Sequence, residues 1–503
     1  MGKEKDKMRV LLIYPPYERL KDFKVNSFPY NLGILATCLE ESNHYARIYN
    51  ADASPLKRKL HKKYSEKNRA ASQSDYSDSI LDMQNPIWEE IEKTVSEFQP
   101  DIVCITCMTA TFPSAQKVAR IVKSIDEDLP VVMGGCHPTL MPMDVIKRAE
   151  VDFVVQGEGE LSLVQLCNCL DKRAGADLNQ VKGLFYKKDG QVAQNKPNEF
   201  INDLNALPIA RRDLLLFPKI YNSDSYNKIM ASRGCPYDCS FCSSPAIWKR
   251  KVRYRSPEKI IQELSYLRRE FNVHRFSFWD DTFTANKKRV LEFCDLLIKN
   301  NCRLAWSCYV RANTIDTETL SHLKRAGCYA VSMGIESGSD RVLNLMKKGI
   351  TVDMVRRATR LIREEGLLLS SFWMMGLPFE KEEDMLSTIN LMKELNLDHI
   401  NFCTFVPEPM TELYRICIEE GLLEKDVDWA SKLDVSHHSK ENYFNKNVPR
   451  ERYKQILKDA LEVVELCNER TVKKRLKSFW VQRNYFLRPD VIWSRIKGYL
   501  GKE

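Results

Sequence analysis

The first 170 residues alternate short apolar runs with stretches in which apolar residues recur every three or four positions. Residues 9–15 (RVLLIYP) are almost wholly apolar, as expected of a strand buried on both faces. Residues 30–41 have helical spacing. The alternation predicts a five-stranded, doubly wound, Rossmann-like α/β domain, which binds ligands at the carboxyl ends of its strands. Its further strands are predicted at residues 46–50, 101–108, 131–133 and 151–155, and its further helices at 87–98, 114–125 and 161–170.

Three segments depart from this alternation. Residues 57–79 are polar, charged and aperiodic, which favours an exposed loop. Residues 181–194 predict a hairpin that turns at Asp189-Gly190. Residues 195–215 contain two prolines and little periodicity, so we expect a linker there.

A second alternation of strands and helices runs from residue 228 to about residue 407. Six consecutive βα units without a Gly-rich dinucleotide loop predict a partial or closed parallel barrel. A helical tail is predicted from residue 450. The predicted strands are residues 228–232, 275–279, 304–310, 330–335, 367–375 and 400–406, and the predicted helices are 260–270, 287–299, 317–326, 352–365 and 381–395. We therefore divide the chain into a Rossmann-like domain (8–175), a hairpin and linker (176–222), a (β/α)6 barrel (223–410) and a helical, basic C-terminal region (411–503).

Composition narrows the class of protein. Hydrophobic residues make up 44% and charged residues 29%, as in ordinary globular proteins. The apolar runs fall short of the roughly 18 residues needed to span a bilayer, and the charged N-terminus does not resemble a secretory signal. Without an export signal, the 16 cysteines are expected in the reducing cytoplasm, as core residues or metal ligands.

The strongest chemical signal directly follows the first predicted barrel strand. The sequence GCPYDCSFC places Cys235, Cys239 and Cys242 in one strand-to-helix loop. Soft sulfur ligands suit iron, and three thiolates on a [4Fe-4S] cube leave one iron open for S-adenosylmethionine. The alternatives are a structural zinc site or unrelated buried thiols. Zinc sites usually take four ligands, and no fourth Cys or His lies near these three in sequence.

This CxxxCxxC motif resembles the radical S-adenosylmethionine superfamily, in which one electron from the cluster releases a 5′-deoxyadenosyl radical. The segments FWDDTFT at the second barrel strand, GIESG at the fourth and GLP at the fifth strengthen the resemblance. It implies that Phe241 lies near the adenine and that Asp280 and Asp281 lie at the barrel mouth. It further implies that Glu336 lies near the ribose hydroxyls and that Arg311 binds the methionine carboxylate.

These four charged residues also have structural interpretations. Asp280 and Asp281 could cap the helix that begins near residue 286. Glu336 could cap its own helix, and Arg311 could be a surface charge. Their position at the carboxyl ends of successive barrel strands favours a role in the site.

We call the Rossmann-like domain (8–175) the front domain. Two of its strands are followed by Gly-rich turns, GGCHPT at residues 134–139 and QGEGE at 156–160. Glycine lets a backbone approach a ligand closely, although ordinary tight turns explain these segments almost as well. Such a domain before a radical barrel resembles the cobalamin-binding radical S-adenosylmethionine group, which includes anaerobic porphyrin cyclases, hopanoid methylases and natural-product methyltransferases. The resemblance covers about residues 8–410 and implies cobalamin contacts at Gly134, Gly135, His137, Thr139, Gly157 and Glu158.

The sequence departs from known cobalamin modules at the position that supplies the lower cobalt ligand. Cobalamin modules that coordinate cobalt from below carry an Asp-x-His-x-x-Gly signature after the first strand, and residues 14–31 contain no histidine. Several members of the group bind cobalamin without such a ligand. A contact of His137 with the corrin is the remaining option, although a lone loop histidine is more often a hydrogen-bonding residue.

The resemblance implies a radical C-methyltransferase that acts on an unactivated carbon. A cyclase or rearrangement enzyme that uses cobalamin without methyl transfer is the first alternative, and a non-catalytic iron–sulfur or corrinoid sensor is the second. An electron donor such as flavodoxin or ferredoxin and a small-molecule or lipid substrate are the expected partners.

The tail mixes basic and aromatic residues between positions 475 and 500. This pattern suits either a weak contact with an anionic membrane surface or a helix that seals the barrel, and the second interpretation is favoured. Nucleic-acid binding is not expected, because the sequence contains no RNA-binding module or broad basic stripe.

Overall fold

The computed structural model describes residues 7–23, 25–53, 73–171, 177–300, 302, 304–395, 397–431, 437, 439 and 441–481. Most of the predicted exposed loop, residues 57–72, lies outside the described residues, as does the end of the predicted basic tail from residue 482. Residues 73–79 of that loop form part of a helix instead. Within the described residues, none of the helices combines the length and the apolar character that a bilayer crossing requires.

Two sheets organise the chain, in agreement with the predicted fold class: the first is parallel from β1 to β5 and antiparallel at β6 and β7, and the second is parallel throughout. The first sheet has the strand order β2-β1-β3-β4-β5-β6-β7, and the second has the order β15-β14-β13-β12-β11-β8. A short antiparallel pair, β9 and β10, stands beside the second sheet. The strands are β1 (Arg9–Tyr14), β2 (Tyr45–Asn50), β3 (Ile102–Thr106), β4 (Val131–Gly134), β5 (Phe153–Val155), β6 (Leu184–Lys188), β7 (Gln191–Gln194), β8 (Lys228–Ile229), β9 (Ser232–Arg233), β10 (Arg253–Tyr254), β11 (Arg275–Phe278), β12 (Ala305–Val310), β13 (Cys328–Glu336), β14 (Leu368–Met375) and β15 (His399–Thr404).

The helices lie between the strands in the order expected of βα units. They are α1 (Tyr30–Glu41), α2 (Gln73–Leu81), α3 (Pro86–Phe98), α4 (Phe112–Ile125), α5 (Cys136–Leu140), α6 (Pro142–Ile146), α7 (Gly159–Leu170), α8 (Ser244–Trp248), α9 (Pro257–Phe271), α10 (Lys287–Lys299), α11 (Thr317–Arg325), α12 (Asp340–Leu345), α13 (Val352–Glu364), α14 (Glu382–Leu395), α15 (Glu412–Glu419) and α16 (Arg450–Val481). The last of these is the predicted helical tail.

Strand β1 is buried on both faces, as its apolar run predicts. Val10 and Leu12 point into one hydrophobic core with α1 and α7, and Leu11 and Ile13 point into a second core with α3 and α4. Helices therefore cover both faces of the first sheet, which is the doubly wound arrangement.

The hairpin corrects one expectation. It does not stand apart from the front domain, because β6 pairs antiparallel with β5 and the sheet has seven strands rather than five. Both turn residues, Asp189 and Gly190, have positive φ, as a two-residue hairpin turn requires. The linker also returns to this sheet, since the Ile48 N–H donates to the Leu214 carbonyl at the opposite edge.

The second sheet presents two different faces. Phe276, Phe278 and Trp306 point outward into the core with helices α9 and α10. Alternate residues, such as Ser277 and Ser307, point the other way and are only partly buried. We call this second side the inner face. It lines the interior of the open barrel.

Candidate active site

The cysteine loop follows the short strand β9. Its first residue, Gly234, has a φ of +94°, and a Cβ at that position would overlap the carbonyl oxygen of Lys251. Glycine adopts this conformation without steric cost, so the turn into the loop depends on it. Helix α8 begins two residues after Cys242 and closes the loop.

Polar groups surround the thiols of the loop, which are partly exposed. Cys235 Sγ lies 3.7 Å from Thr282 Oγ1, and the Ser244 N–H donates to Cys242 Sγ at 3.4 Å. Burial raises the pKa of the Cys242 thiol to about 12. The protein alone therefore favours the protonated thiol, and bound metal would be needed to hold the thiolate at neutral pH.

The donor set fits an iron–sulfur cube better than a single metal ion. Among the described residues, no three His, Cys, Asp or Glu side chains are gathered closely enough to hold one ion. A cube is held differently, because each thiolate binds its own iron and the sulfurs need not converge on one point. Three soft ligands from one loop match a cluster with one open iron.

Phe241 and Glu336 both lie beside one lysine, Lys348, which the sequence did not indicate. Lys348 Nζ lies 2.7 Å from Glu336 Oε1, and both side chains are at least nine-tenths buried. The same amine lies 5.5 Å from the centre of the Phe241 ring. Glu336 has a φ of +71°, a strained conformation that clusters at functional sites. An aromatic face, a carboxylate and an ammonium at one strand end suit a nucleoside.

Arg311 lies beside the loop and is only 6% exposed, so the surface-charge interpretation was wrong. Its Nη1 lies 3.7 Å from Cys239 Sγ, and its guanidinium lies 3.8 Å from the centre of the Tyr237 ring. No described carboxylate lies within ion-pair distance, and its Nε has no hydrogen-bond partner in the described part of the chain. An unpaired buried guanidinium is costly, and a bound carboxylate would satisfy it.

The two aspartates have different environments. Asp280 is 2% exposed and accepts hydrogen bonds from the Ala231 N–H and the Ser232 hydroxyl, so it ties the chain after β8 to the end of β11. Burial raises its pKa to about 6. Asp281 is exposed and accepts from Ser244 Oγ at 2.7 Å, next to the cysteine loop.

The helix-cap alternatives were wrong. The side chain that caps α10 is Asn286, which accepts from the Arg289 N–H, and not either aspartate. Ser339 caps α12 in the same way, so Glu336 is not a cap.

In the front domain, the turn after β4 depends on Gly135. This residue has a φ of +105°, and a Cβ there would lie 2.7 Å from the Cys107 carbonyl oxygen. A Cβ at Gly134 would make ordinary van der Waals contact, 3.7 Å from the Val155 carbonyl oxygen. Thr139 links the two Gly-rich turns, because its hydroxyl accepts from the Gly157 N–H at 3.0 Å.

His137 is fully buried beneath this turn. Its Nδ1 lies 3.3 Å from Thr109 Oγ1, its Nε2 lies 3.6 Å from Asp144 Oδ2, and its ring packs on Phe112. No surface of the imidazole is open to a ligand in this conformation. Its contact with cobalamin stays a prediction that the geometry does not favour.

The second Gly-rich turn contacts the cysteine loop through ion pairs, which the sequence did not indicate. Glu158 lies 2.5 Å from both Arg233 and Arg253, and Glu160 pairs with the other end of the Arg233 guanidinium. All four side chains are largely buried. We call this group the interdomain clamp. The sequence shows two glutamates in the turn, but it could not indicate their arginine partners, which lie more than 70 residues away.

The carboxyl edge of the first sheet offers apolar surface beside the barrel. Met108, directly after β3, is 45% exposed, and Leu161, in the first turn of α7, is 62% exposed. Helix α5 packs against α8, the helix that closes the cysteine loop. These exposed apolar side chains beside the cluster loop fit a large flat ligand such as a corrin.

Comparison with known proteins agrees with this geometry. The family model described as the radical SAM superfamily matches residues 229–392, and the B12 binding domain matches residues 22–167. An uncharacterized methyltransferase of Pyrococcus horikoshii is 33% identical over 78% of this chain and 88% of that protein. The anaerobic magnesium-protoporphyrin IX monomethyl ester cyclase of Rubrivivax gelatinosus is 31% identical over 68% of this chain, but this match spans only 63% of the cyclase.

A solved structure shares the fold across both domains. The radical S-adenosylmethionine methyltransferase TsrM of Kitasatospora setae, described with cobalamin and a [4Fe-4S] cluster bound, superimposes with a TM-score of 0.67 at 16% identity. The match covers 91% of this chain and 89% of TsrM. With the extended match to the Pyrococcus protein, these findings lead to one assignment: the chain belongs to the radical S-adenosylmethionine enzymes that carry a B12-binding domain.

Proposed function

We propose that this protein is a cobalamin-dependent radical S-adenosylmethionine methyltransferase that methylates an unactivated carbon of a small molecule. In this proposal residues 8–175 bind cobalamin, residues 223–410 hold the cluster, and a flavodoxin or ferredoxin supplies electrons. When bound, the cluster cleaves S-adenosylmethionine reductively and cobalamin carries the methyl group. The protein's own residues bind, orient and shield these groups.

The observation that carries the proposal is the position of Arg311. A buried guanidinium with no described carboxylate partner lies 3.7 Å from the Cys239 sulfur, at the loop where one iron of the cube would stay open. It would bind the carboxylate of S-adenosylmethionine as a charge-assisted pair. Glu336 would accept hydrogen bonds from the ribose hydroxyls, and Phe241 would pack against the adenine. Lys348, which pairs with Glu336, would lie beside the bound nucleoside.

Methyl transfer is favoured over cyclisation by the comparison with relatives. The relative from Pyrococcus is named a methyltransferase and matches this chain along most of both lengths, whereas the match to the cyclase leaves over a third of that protein uncovered. For either reaction, α5 of the front domain packs against α8, which closes the cysteine loop. A methyl carrier on the front sheet would therefore face the barrel mouth.

The test begins with anaerobic purification, followed by measurement of iron, sulfide and cobalt. The holoenzyme with a chemical reductant is expected to convert S-adenosylmethionine to 5′-deoxyadenosine, and with substrate to yield S-adenosylhomocysteine as well. Cys239→Ala should lose the cluster and all cleavage. Cys169→Ala, at a half-buried helix position outside the loop, should keep both.

Three outcomes would contradict parts of the proposal. Deoxyadenosine without any S-adenosylhomocysteine or methylated product would favour the cyclase alternative. A loaded cluster without cleavage would favour a sensor. Zinc in place of iron would remove the basis of the radical chemistry. The cytoplasmic location and the weak membrane contact of the tail stay predictions, because much of the tail lies outside the described residues.

A further inference from the structure

The inner face of the barrel carries polar and aromatic side chains rather than a packed core. Ser277 and Ser307 hydrogen-bond to each other at 2.9 Å, and the rings of Tyr309 and Phe372 lie 5.9 Å apart. These residues are only partly buried although they stand in the middle of a sheet. A half-open surface of this kind suits a small molecule with both apolar and polar parts.

One cation stands on this face at its first strand. Lys228 is beside Ser277 in register, on the side of β8 opposite the buried Ile229. Its Nζ lies 3.5 Å from the centre of the Trp279 ring, and Trp279 is 48% exposed. Strand β8 leads within seven residues to Cys235, so the amine lies on the wall that supports the cluster loop.

This amine has no acidic partner among the described residues. Burial alone lowers the pKa of Lys228 to about 8, and no described carboxylate, imidazole or thiol contributes to the shift. Its neighbour on the same face, Arg275, is already paired with Asp224 at 3.4 Å. Partial burial of an ammonium without a counter-charge is unfavourable, and the Trp279 ring compensates only in part.

We propose that Lys228, with Trp279, binds an anionic group of the substrate, a carboxylate or a phosphate. The inference deepens the proposed function by naming the substrate class for the same barrel. The anion would pair with the amine, and the Trp279 face would contact the adjoining planar or apolar part of the molecule. A neutral substrate would leave the amine unpaired in a drier site, so the site selects against it.

The experiment uses the anaerobic holoenzyme and three naphthalene probes of similar size. These are 1-naphthoate, 1-naphthyl phosphate and the uncharged 1-naphthamide, each titrated by calorimetry. The wild-type protein is expected to bind at least one anion tenfold or more tightly than the amide. Lys228→Met should remove that preference, Lys228→Arg should keep most of it, and the exposed-site control Lys182→Met should not change it. The tighter anion identifies the group as carboxylate or phosphate.

A pH series gives a second readout that does not depend on the stability of the Met variant. Affinity of the wild-type protein for the preferred anion should fall as the pH rises from 7 to 9, because the Lys228 amine loses its proton, while Lys228→Arg should show no such fall. Equal binding of anions and amide by the wild-type protein, or an unchanged anion preference in Lys228→Met, would overturn the inference. Cleavage of S-adenosylmethionine by the wild-type enzyme is scored separately, so a failure of the proposed function is distinguishable from a failure of this site.

Discussion

The carboxylate of Glu158, in the second Gly-rich turn, lies 2.5 Å from the guanidinium of Arg233, the residue that precedes the cysteine loop. One bond thus connects the part of the chain expected to hold cobalamin with the part expected to hold the cluster. Burial by itself would raise the pKa of Glu158, but the hydrogen bond from Arg253 and the charge of Arg233 outweigh it and lower the pKa. The Glu158 carboxylate therefore stays ionised at neutral pH.

Glu158→Gln should destabilise the protein, because it leaves two buried arginines without one of their counter-charges. Breaking a buried pair costs about 3 kcal/mol, which thermal or urea unfolding of the apoprotein would detect. Glu199→Gln, in an exposed pair with Lys182, is the matched control and should leave unfolding unchanged. Equal stability of both variants would contradict a structural role for the clamp.

Arg311→Met should weaken S-adenosylmethionine binding at least tenfold while the cluster spectrum persists, because in the proposed function the guanidinium binds the cofactor carboxylate and not the iron. Arg311→Lys should recover only part of the affinity, since an ammonium lacks the planar fork. Equilibrium binding to the reconstituted protein provides the measurement. The exposed Arg356→Met serves as control, and an unchanged affinity in Arg311→Met would exclude the assigned role.

Gly135→Ala should destabilise the front domain by about 2 kcal/mol or more, because alanine is strained at a φ of +105° and its Cβ would meet the Cys107 backbone. Gly134→Ala should fold normally, since its φ is not positive and its Cβ would lie at ordinary van der Waals distance from its neighbour. Urea unfolding of both apoproteins distinguishes them. If Gly134→Ala nevertheless binds cobalamin poorly, the loss reports contact with the corrin and not a folding defect.

Glu380 gives a pH prediction. It is fully buried and accepts from the Gly376 and Leu377 N–H groups, and burial raises its pKa from 4.5 to about 8. The folded protein therefore holds a proton that the unfolded chain releases, so this group lowers stability as the pH rises from 4.5 through about 8. Glu380→Gln, which stays neutral, should be the more stable protein at pH 8 by at least about 1 kcal/mol, since each pKa unit corresponds to roughly 1.4 kcal/mol.

The comparison is made by thermal unfolding of the apoproteins between pH 5 and 9. The advantage of the variant should shrink toward pH 5, where Glu380 is protonated in the folded protein and only partly ionised in the unfolded chain. A constant difference across this range would show that Glu380 does not titrate as its burial implies.

The order of strands and helices could be predicted because each has a local pattern. Helix α1 has the predicted bounds, since its apolar spacing and its ends are encoded within twelve residues. The pairing of β6 with β5 could not be predicted in this way, because register between strands depends on residues far apart in sequence. The sequence predicted the hairpin itself, but it did not predict which strand of the sheet the hairpin pairs with.

The candidate site was predictable to a similar degree. The three thiols stand in one short motif. The family resemblance indicated Glu336 and Arg311, and their position at the ends of neighbouring strands supported them. No motif indicated Lys348, because its ion pair with Glu336 depends on the path that the chain takes around α12. The environment of His137 was equally hidden, since burial depends on Phe112 and Asp144 packing around it.

Both hydrophobic cores continue from the first sheet into the second. One contains Val10 of β1 together with Ile229 of β8, and the other contains Ile13 together with Leu377 and Phe405. Separation of the two halves would expose a large apolar surface on each, so neither half is expected to fold as an independent domain. We therefore expect the distance between the two cofactor-bearing edges to be fixed when the chain folds, without a hinge that adjusts it during turnover.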